Sequence, residues 1–375
     1  MNNTKNTLSS VRDVIPEIGG NFQLDPAVIE SKDSKHLNDP TKKSGLSISE
    51  LPKGTQVLSA SSYGTSLWTR TARVDTIVNG EKKDYFLKCA TEAGAVMTEG
   101  EFHSISEIYK LIPTLTPRPV AWGKFLNSKI DTYFFLCDFV NMSSELPDPV
   151  MFCARIAQLH RESISPTGKF GFHVKNCKGK TPQPIEWEAS WTRYFTRLIS
   201  YVRQRWNVLT CLIIIIRRTW ILTGTQGFEK DLVSNGPWPE YEKTFALLVK
   251  HAIPQILDPL TEEGRIIKPC LVHGDLWEGN TTTNLDTGEP MIFDAAAFYA
   301  HNEYELGIWR RDMVKFDHPY FSHYFCNFPV SEPADQFNDR NALYCLKFDL
   351  DYCLHRPGLP LVREQFVLEI PSTHH

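Results

Sequence analysis

The chain has 375 residues, of which 42% are hydrophobic and 22% charged, and its formal net charge is −4. This length allows two lobes with sizeable cores, and the composition is that of a soluble globular protein. The negative charge and the lack of any basic run of five residues argue against a nucleic-acid partner.

The nine cysteines are scattered along the chain without a Cys-x-x-Cys pair, which argues against a zinc site. Several of them lie in apolar runs, and we expect buried thiols of a reducing compartment. The first residues lack the apolar run of a signal peptide, so we predict a cytoplasmic protein without a membrane partner.

Residues 1–50 are mostly polar and are interrupted by Pro, Gly and Ser. We predict a flexible N-terminal extension there, with one short helix over residues 24–29. Residues 51–140 are predicted to form a first lobe, which begins with alternating strands at 55–59, 66–74 and 84–89.

Two turns separate these strands. Asn79 and Gly80 form a strong hairpin signal between the second and the third strand. The turn between the first two is small and polar and contains Gly64, so its backbone amides are candidates for binding phosphates. Gly64 is its only glycine, and an ordinary surface turn is the alternative.

Lys88 is a lone cation in the apolar third strand. Such a lysine often points to solvent, but residues 99–112 follow with apolar residues at helical spacing. Glu101 lies in the first turn of this predicted helix. A strand lysine paired with a helix glutamate fixes the phosphates of ATP in kinases, so we predict this role for the pair.

Residues 120–123 and 132–137 are two further strands, which complete a predicted five-stranded sheet. Residues 138–142 would then be the hinge between two lobes. The backbone of Asp138 and Val140 is predicted to pair with adenine there, so their side chains carry little information.

Residues 141–355 are predicted to form a larger, mainly helical lobe, followed by a frayed tail at 356–375. Amphipathic spacing predicts helices over 149–161, 187–205, 239–260, 304–317 and 335–354. Residues 207–227 are apolar but too short and too interrupted for a membrane span, with neither helical nor strand periodicity. We predict that this segment is foreign to the fold and derives from a translated intron.

The stretch from 271 to 294 carries the strongest pattern in the chain. An apolar pair leads into His273-Gly274-Asp275, Asn280 follows five residues after Asp275, and a second apolar run ends at Asp294. Phosphoryl transfer from ATP uses such a set: one carboxylate for the acceptor hydroxyl, and an amide and a second carboxylate for Mg²⁺. The alternative is that both aspartates are turn residues of an ordinary hairpin.

With these motifs and the run of residues 298–306 that follows Asp294, the chain resembles the fructosamine/ketosamine-3-kinase family, and most closely its fungal protein-ribulosamine 3-kinases. The resemblance implies an α+β, two-lobed protein-kinase-like fold. The small N-terminal lobe would contain an antiparallel five-stranded sheet and a helix, and the larger C-terminal lobe would be mainly helical.

The resemblance also implies site roles. Asp275 would be the catalytic base, Asn280 and Asp294 the Mg²⁺ ligands, and Lys88 the phosphate contact with Glu101 as its partner. Three residues are substrate-side candidates, with a packed loop as the alternative for the first and loop ordering for the others: Trp277, His301 and Glu303. Two residues would support the catalytic loop: His273 and Glu305.

The activity implied is ATP-dependent phosphorylation of O3 of ribulosamine or fructosamine adducts on protein lysines, after which the adduct eliminates and the lysine is deglycated. ATP and Mg²⁺ are the expected cofactors. Glycated proteins or small ketosamines would be the partners of a monomer or weak dimer. Two rivals stay open: another small-molecule kinase of this superfold, of the aminoglycoside or choline type, and a non-catalytic nucleotide-binding pseudokinase.

Overall fold

A five-stranded antiparallel sheet dominates the first part of the computed structural model, which describes residues 51–52, 54–64, 66, 68–91, 94–125, 131–202 and 239–355. The five strands are those that the sequence predicted, and they run in the order β1-β2-β3-β5-β4. Their bounds are Thr55–Ser62 (β1), Arg70–Val78 (β2), Glu81–Thr91 (β3), Pro119–Lys124 (β4) and Thr132–Asp138 (β5).

Buried side chains alternate with more exposed ones most clearly along β2. In β2, Ala72, Val74 and Thr76 are buried while their neighbours are less so, which is the period of a half-buried strand. The β2–β3 turn has positive φ at Asn79 (51°) and Gly80 (91°), the backbone of the predicted tight hairpin. The second strand begins at Arg70, four residues later than predicted.

Helix α1, Gly94–Leu111, follows β3 and begins five residues earlier than predicted. Glu101 is therefore inside the helix, and its predicted place in the first turn is wrong. Gly100 lies inside the helix, and a Cβ atom there would lie 2.5 Å from Cα of Asn176. The glycine thus permits close contact between α1 and a loop of the second lobe.

The second lobe is mainly helical, as predicted. Helix α2 spans Pro149–Glu162, α3 spans residues 191–202, α4 Pro239–Leu247 and α5 Ile253–Leu257, with a π-helical turn at Leu248–Ala252 between them. A 3-10 helix follows at Asp258–Gly264. After the predicted catalytic region, residues 270–300, come a 3-10 helix at Asn302–Arg310, α6 at His318–Asn327, a 3-10 turn at Ala334–Gln336 and α7 at Phe337–His355.

Two helix predictions need correction. Helix α3 begins at residue 191 and not at 187, because Ser190 accepts a hydrogen bond from the Arg193 amide at 3.3 Å and so caps its first turn. The predicted helix at 304–317 is a 3-10 helix that ends at Arg310. Helix α6 was not predicted at all.

The catalytic region is built from short strand pairs. Strand β8 (Cys270–Val272) pairs with β11 (Phe298–Ala300), and β9 (Thr281–Thr283) pairs with β10 (Pro290–Ile292). A small hairpin of β6 (Cys177–Lys178) and β7 (Thr181–Pro182) lies before α3. The strand before Asp275 and the strand before Asp294 therefore belong to different pairs, and the two aspartates are not the ends of one hairpin.

Two apolar cores hold these elements. One is confined to the first lobe and includes Val74, Leu87 and Leu136. The other fills the second lobe and extends to Ile105 and Ile108 on the inner face of α1. Because α1 contributes to the large core, its position relative to the catalytic region is fixed by burial of apolar surface.

Three predictions concern residues outside the described part of the chain: the extension at 1–50, the segment 207–227 and the tail at 356–375. None of the described helices combines the length and the apolar character that crossing a membrane requires. Seven cysteines of the described residues are present as thiols, and five of them are buried.

Candidate active site

The His273-Gly274-Asp275 turn is held by backbone geometry that only glycine accommodates without strain. Gly274 has φ +81°, and a Cβ atom there would lie 2.4 Å from the carbonyl oxygen of Ala296. His273 is buried; its Nε2 lies 2.8 Å from the Phe293 carbonyl oxygen, and its Nδ1 lies 3.3 Å from the Asp275 amide. The ring thus supports the loop from inside.

Glu305 holds the same turn in place through hydrogen bonds to its backbone. Its buried carboxylate accepts hydrogen bonds from the amides of His273 and Gly274, the second at 3.0 Å. Trp309, on the same 3-10 helix, donates its indole N–H to the Leu276 carbonyl oxygen at 3.0 Å. One short helix therefore holds three backbone groups of the predicted catalytic loop, residues 273–280, and so pre-organises its side chains.

Asp275 and Asn280 are adjacent because the loop folds back through a 3-10 turn at Glu278–Asn280. The Asn280 side-chain N–H donates to the Asp275 carbonyl oxygen at 2.8 Å. This hydrogen bond fixes the side-chain amide of Asn280. Its nitrogen is engaged by the loop, and its oxygen is the atom that can bind a cation. The Asp275 side chain is 25% exposed, so an acceptor molecule can reach it.

Asp294 lies at the end of β10 with φ +60°, a left-handed conformation that aspartate tolerates better than most residues. Its carboxylate forms an ion pair with Lys88 of β3, whose ammonium also contacts Glu101 of α1 at 2.8 and 3.0 Å. Residues distant in sequence therefore meet in one cluster, in which Lys88 lies between two carboxylates.

The charges of this cluster are coupled. Burial by itself lowers the pKa of Lys88, but the Asp294 and Glu101 carboxylates outweigh it, and the pKa lies above its usual value. Burial likewise opposes ionisation of Asp294, yet Lys88 holds the pKa of that carboxyl below its usual value. Burial raises the pKa of Glu101, although Lys88 opposes this. The cluster thus favours a cationic Lys88 and an anionic Asp294.

The oxygen ligands of this site fit an Mg²⁺ ion that nucleotide phosphates also bind. Among the described residues no group of three His, Cys, Asp or Glu side chains could hold a metal by itself. One carboxylate from Asp294 and one amide oxygen from Asn280 are the small protein share that Mg²⁺ takes when phosphates complete its shell. Lys88 fits as the phosphate contact, since it is a buried cation beside that carboxylate.

The other predicted nucleotide contacts are Gly64 and the backbone of Asp138 and Val140. Gly64 has φ +75°, so it serves the β1–β2 turn, and its contact with phosphate stays a prediction. The Asp138 carboxylate is bound by Arg118 at 2.9 Å and by Lys83 at 3.2 Å, and its amide donates to the Arg118 carbonyl oxygen. Adenine pairing by Asp138 and Val140 also stays a prediction.

The three substrate-side candidates differ sharply in exposure. Trp277 is 39% exposed, directly beyond the catalytic turn, and is accessible to an acceptor. His301 and Glu303 are fully buried. His301 contacts Tyr344 and Ser331 at 2.9 Å each. Glu303 pairs with Arg340 at 2.7 Å. The structure therefore places these two inside the lobe as packing groups, away from any accessible acceptor surface.

A charged group beside Asp275 was missed by sequence analysis. Lys178, in β6, lies 3.3 Å from Asp275 and 3.6 Å from Asp351 of α7. Lys347 contacts Asp351 at 2.6 Å. Burial lowers the pKa of Lys178, although Asp275 and Asp351 oppose this. No local pattern marks Lys178, because only the tertiary fold brings its hairpin to the catalytic loop.

A model of the fructosamine kinase family matches residues 58–215 and 237–356, which together are well over half of the chain. The chain belongs to the fructosamine kinase family. The match includes every residue of the cluster around Lys88 and of the catalytic loop. The match covers residues 207–215 and is interrupted at 216–236, so it includes part of the segment 207–227, and the prediction that this segment is foreign to the fold stays a prediction.

Two named relatives of this fructosamine kinase family member illustrate the similarity. It is 28% identical to the chloroplastic protein-ribulosamine 3-kinase of Oryza sativa subsp. indica over 271 residues, which are 72% of this chain and 66% of the rice protein. The chain thus spans slightly less than two thirds of that relative. It is 27% identical to the ketosamine-3-kinase of Mus musculus over 297 residues, which are 73% of this chain and 84% of the mouse protein.

Solved structures establish the fold. A protein from Haemophilus somnus 129PT, described as a fructosamine-3-kinase, superimposes with a TM-score of 0.60 at 19% identity, over 85% of this chain and 92% of that one. A counterpart from Thermobifida fusca YX-ER1 gives 0.60 at 17% identity, over 84% and 93%. The predicted α+β, two-lobed kinase-like fold is confirmed.

Proposed function

We propose that this member of the fructosamine kinase family is an ATP-dependent ketosamine-3-kinase, a phosphotransferase with an alcohol group as acceptor. The observation that carries the proposal is the meeting of Lys88, Glu101 and Asp294 next to a rigid loop that presents Asp275 and Asn280. Relatives named as ribulosamine and ketosamine 3-kinases support the acceptor class.

In the proposed reaction Asp275 acts on the acceptor hydroxyl. Its carboxylate accepts the proton of O3 as the bond from O3 to the γ-phosphorus forms and the bond to the ADP oxygen breaks. The products are ADP and a ketosamine 3-phosphate. Exposure of the Asp275 side chain and fixation of its loop by Glu305 suit this role, because the base must be both reachable and oriented.

Lys88 is the proposed contact for the ATP phosphates, and Glu101 keeps its ammonium in the cleft. Asn280 and Asp294 are the proposed ligands of Mg²⁺. The ion, when bound, supplies neutralisation of phosphate charge. Because Asp294 forms an ion pair with Lys88, binding of nucleotide and metal would exchange that pair for contacts of each residue with the phosphates and the ion.

The proposed acceptors are ribulosamine or fructosamine adducts, carried by lysines of glycated proteins or by small ketosamines. The 3-phosphate then takes up water and breaks down to inorganic phosphate, a deoxygenated sugar dicarbonyl and the free amine, which amounts to deglycation. A cytoplasmic location, and a monomer or weak dimer, stay predictions for this chain.

The charges on the acceptor side support a ketosamine over a polycationic antibiotic. Around Asp275 the cations Lys178 and Lys347 balance the carboxylates of Asp275 and Asp351. A site for an aminoglycoside would need an acidic surplus to attract several ammonium groups. Among the described residues next to Asp275, this cluster has no such surplus.

The test is transfer of labelled phosphate from ATP to ribulosyl-lysine and fructosyl-lysine derivatives, with an aminoglycoside and choline as parallel acceptors. We expect transfer to the ketosamines and a loss of at least about a hundredfold in Asp275→Ala, with ATP affinity retained. Asp312→Ala is the matched control, because Asp312 is an exposed turn carboxylate on the same lobe.

Each other outcome contradicts a specific part of the proposal. Unchanged turnover in Asp275→Ala would remove that residue from catalysis. Transfer to the aminoglycoside or choline alone would favour a different small-molecule kinase. Binding of ATP by the wild-type protein without transfer to any acceptor would favour a pseudokinase.

A further inference from the structure

A cluster of four alternating charges, three of them largely buried, includes Asp275 and extends away from it into the second lobe. It runs from Asp275 through Lys178 and Asp351 to Lys347, with contacts of 3.3, 3.6 and 2.6 Å. The side chains of the last three are 11%, 5% and 1% exposed. Burial of several ions is costly, and such clusters occur more often at functional sites than elsewhere.

Lys178 occupies a defined position in this cluster. Its ammonium lies 3.8 Å from the centre of the Phe348 ring, and the β6–β7 hairpin that carries it turns at Gly179 with φ +57°. Both of its carboxylate contacts are longer than the usual range for a direct N–H···O hydrogen bond. A ligand oxygen can therefore approach Lys178 without breaking a short ion pair.

The other members of the cluster are held more tightly. Lys347 contacts Asp351 within one turn of α7 and lies 3.5 Å from the side-chain oxygen of Gln183. Gln183 in turn donates to Asn176 and to the Ala296 carbonyl oxygen, next to the Asp294 segment. Lys347 thus orients the Asp351 carboxylate, which also contacts Lys178. A small recess opens here, lined by Lys178, Gln183, Lys347 and Asp351 with Pro184 and Leu198.

We propose that Lys178 and Asp351 form a sugar subsite that binds the hydroxyl adjacent to the one that is phosphorylated, so that the acceptor must carry a vicinal diol. The proposal rests on the proposed function, in which O3 of a ketosamine lies at Asp275. On the side of O3 away from C2, the adjacent hydroxyl is then O4, which accepts from the Lys178 ammonium and donates to the Asp351 carboxylate.

The geometry suits a diol for two reasons. A hydroxyl is at once a donor and an acceptor, and the Lys178–Asp351 pair offers it one partner of each kind. Neighbouring sugar oxygens are about as far apart as two hydrogen-bonded atoms, and Asp275 and Lys178 are separated by a similar distance. O3 at Asp275 therefore brings O4 to Lys178 without a change in the loop.

The experiment changes the substrate and the enzyme separately and together, as in a double-mutant cycle. It measures the coupling free energy between one hydroxyl and one side chain. Phosphorylation of fructosyl-lysine is compared with that of its 4-deoxy and 6-deoxy analogues, by the wild-type enzyme, Lys178→Met and Asp351→Asn. Lys175→Met is the matched control, because Lys175 is an exposed lysine of the same segment.

For the wild-type enzyme and Lys175→Met we expect kcat/KM to fall about 10- to 100-fold without O4, the range for a hydrogen bond to a charged group, and to change little without O6. In Lys178→Met and in Asp351→Asn, kcat/KM with the 4-deoxy analogue should be less than about threefold below kcat/KM of the same variant with fructosyl-lysine. Thermal unfolding of each variant checks that it is folded, and the wild-type comparison of the two deoxy analogues tests the subsite even if both variants fail to fold.

Two results would overturn the subsite, and they differ from failure of the proposed function. Equal loss with both deoxy analogues in the wild-type enzyme, or the same O4 effect in the variants as in wild type, would refute it while ketosamine kinase activity stands. A wild-type enzyme that phosphorylates no ketosamine would remove the proposed function and the subsite together.

Discussion

At the scale of single residues, the glycine of the catalytic turn is set by two constraints at once. Gly274 needs a positive φ, and its α-carbon faces the Ala296 carbonyl oxygen. For Gly274→Ala we expect a loss of about 2–4 kcal/mol in the free energy of unfolding, together with loss of transfer activity. Denaturant unfolding and the kinase assay measure both effects.

Gly288→Ala separates the two constraints. Gly288 has a similar φ of +75°, but nothing lies within 4 Å of a Cβ atom there. Only the backbone cost, about 1 kcal/mol, should then appear, and activity should be retained. Equal destabilisation by the two substitutions would show that contact with Ala296 contributes nothing.

His301 gives the protein a pH dependence of stability. Burial lowers the pKa of His301 from 6.5 to about 4, so in acid the unfolded chain binds a proton that the native state does not. The free energy of unfolding should therefore fall as the pH drops below about 6.5, by about 3 kcal/mol at pH 4 from this residue. Unfolding curves at pH 7, 6, 5 and 4 measure the decline.

A comparison of variants isolates this contribution from other titrating groups. His301→Gln should show a shallower decline than the wild-type protein between pH 6.5 and 4, whatever its stability at pH 7. His318→Gln, at an exposed position, should keep the wild-type slope. An unchanged slope in His301→Gln would contradict a buried, neutral histidine at this position.

At the scale of elements, the 3-10 helix Asn302–Arg310 acts as the support of the catalytic loop. Glu305 receives two loop amides, and glutamine would place an N–H group against one of them. We expect Glu305→Gln to lower kcat about 10- to 100-fold, the effect of one lost hydrogen bond to a buried charge, while ATP affinity stays within about threefold. Steady-state kinetics and nucleotide titration measure the two.

Glu289→Gln is a suitable control, because that carboxylate pairs with Arg155 on a partly exposed surface where ion pairs contribute little. Should Glu305→Gln keep full kcat, the two amide contacts would not be needed to orient Asp275. Loss of ATP binding together with kcat would instead indicate a wider disturbance of the cleft.

Element bounds show where local sequence suffices and where it does not. Alternation and the Asn79-Gly80 turn located the sheet, because both are local properties of the backbone. The start of α1 was predicted at Glu99 and lies at Gly94. The close contact of Gly100 with Asn176 was not predicted either. Close packing between distant segments has no local pattern that a sequence reveals.

At the scale of the whole molecule, the family match is interrupted between residues 215 and 237. If the segment 207–227 is foreign to the fold, its removal should leave the two lobes intact. We expect a variant without residues 207–226 to retain ATP-dependent transfer to ketosamines and to give more soluble protein. Sequencing of the transcript provides the independent check.

Either part of that prediction can fail. A transcript that runs without interruption through this segment would show that it is coding. A deletion variant that is folded but inactive would show that the segment contributes to the acceptor side of the second lobe.

The sequence alone identifies the candidate chemical groups: which carboxylates, amide and lysine are present, in what order, and on which strands and loops. The spacing of Asp275 and Asn280 is local, so a short loop fixes it. Only the tertiary structure joined Lys88 to Asp294 across 206 positions, removed His301 and Glu303 from the accessible surface, and brought Lys178 and Asp351 to Asp275. These contacts depend on how α1, α7 and the β6–β7 hairpin pack on shared cores, and long-range packing is set by the whole chain.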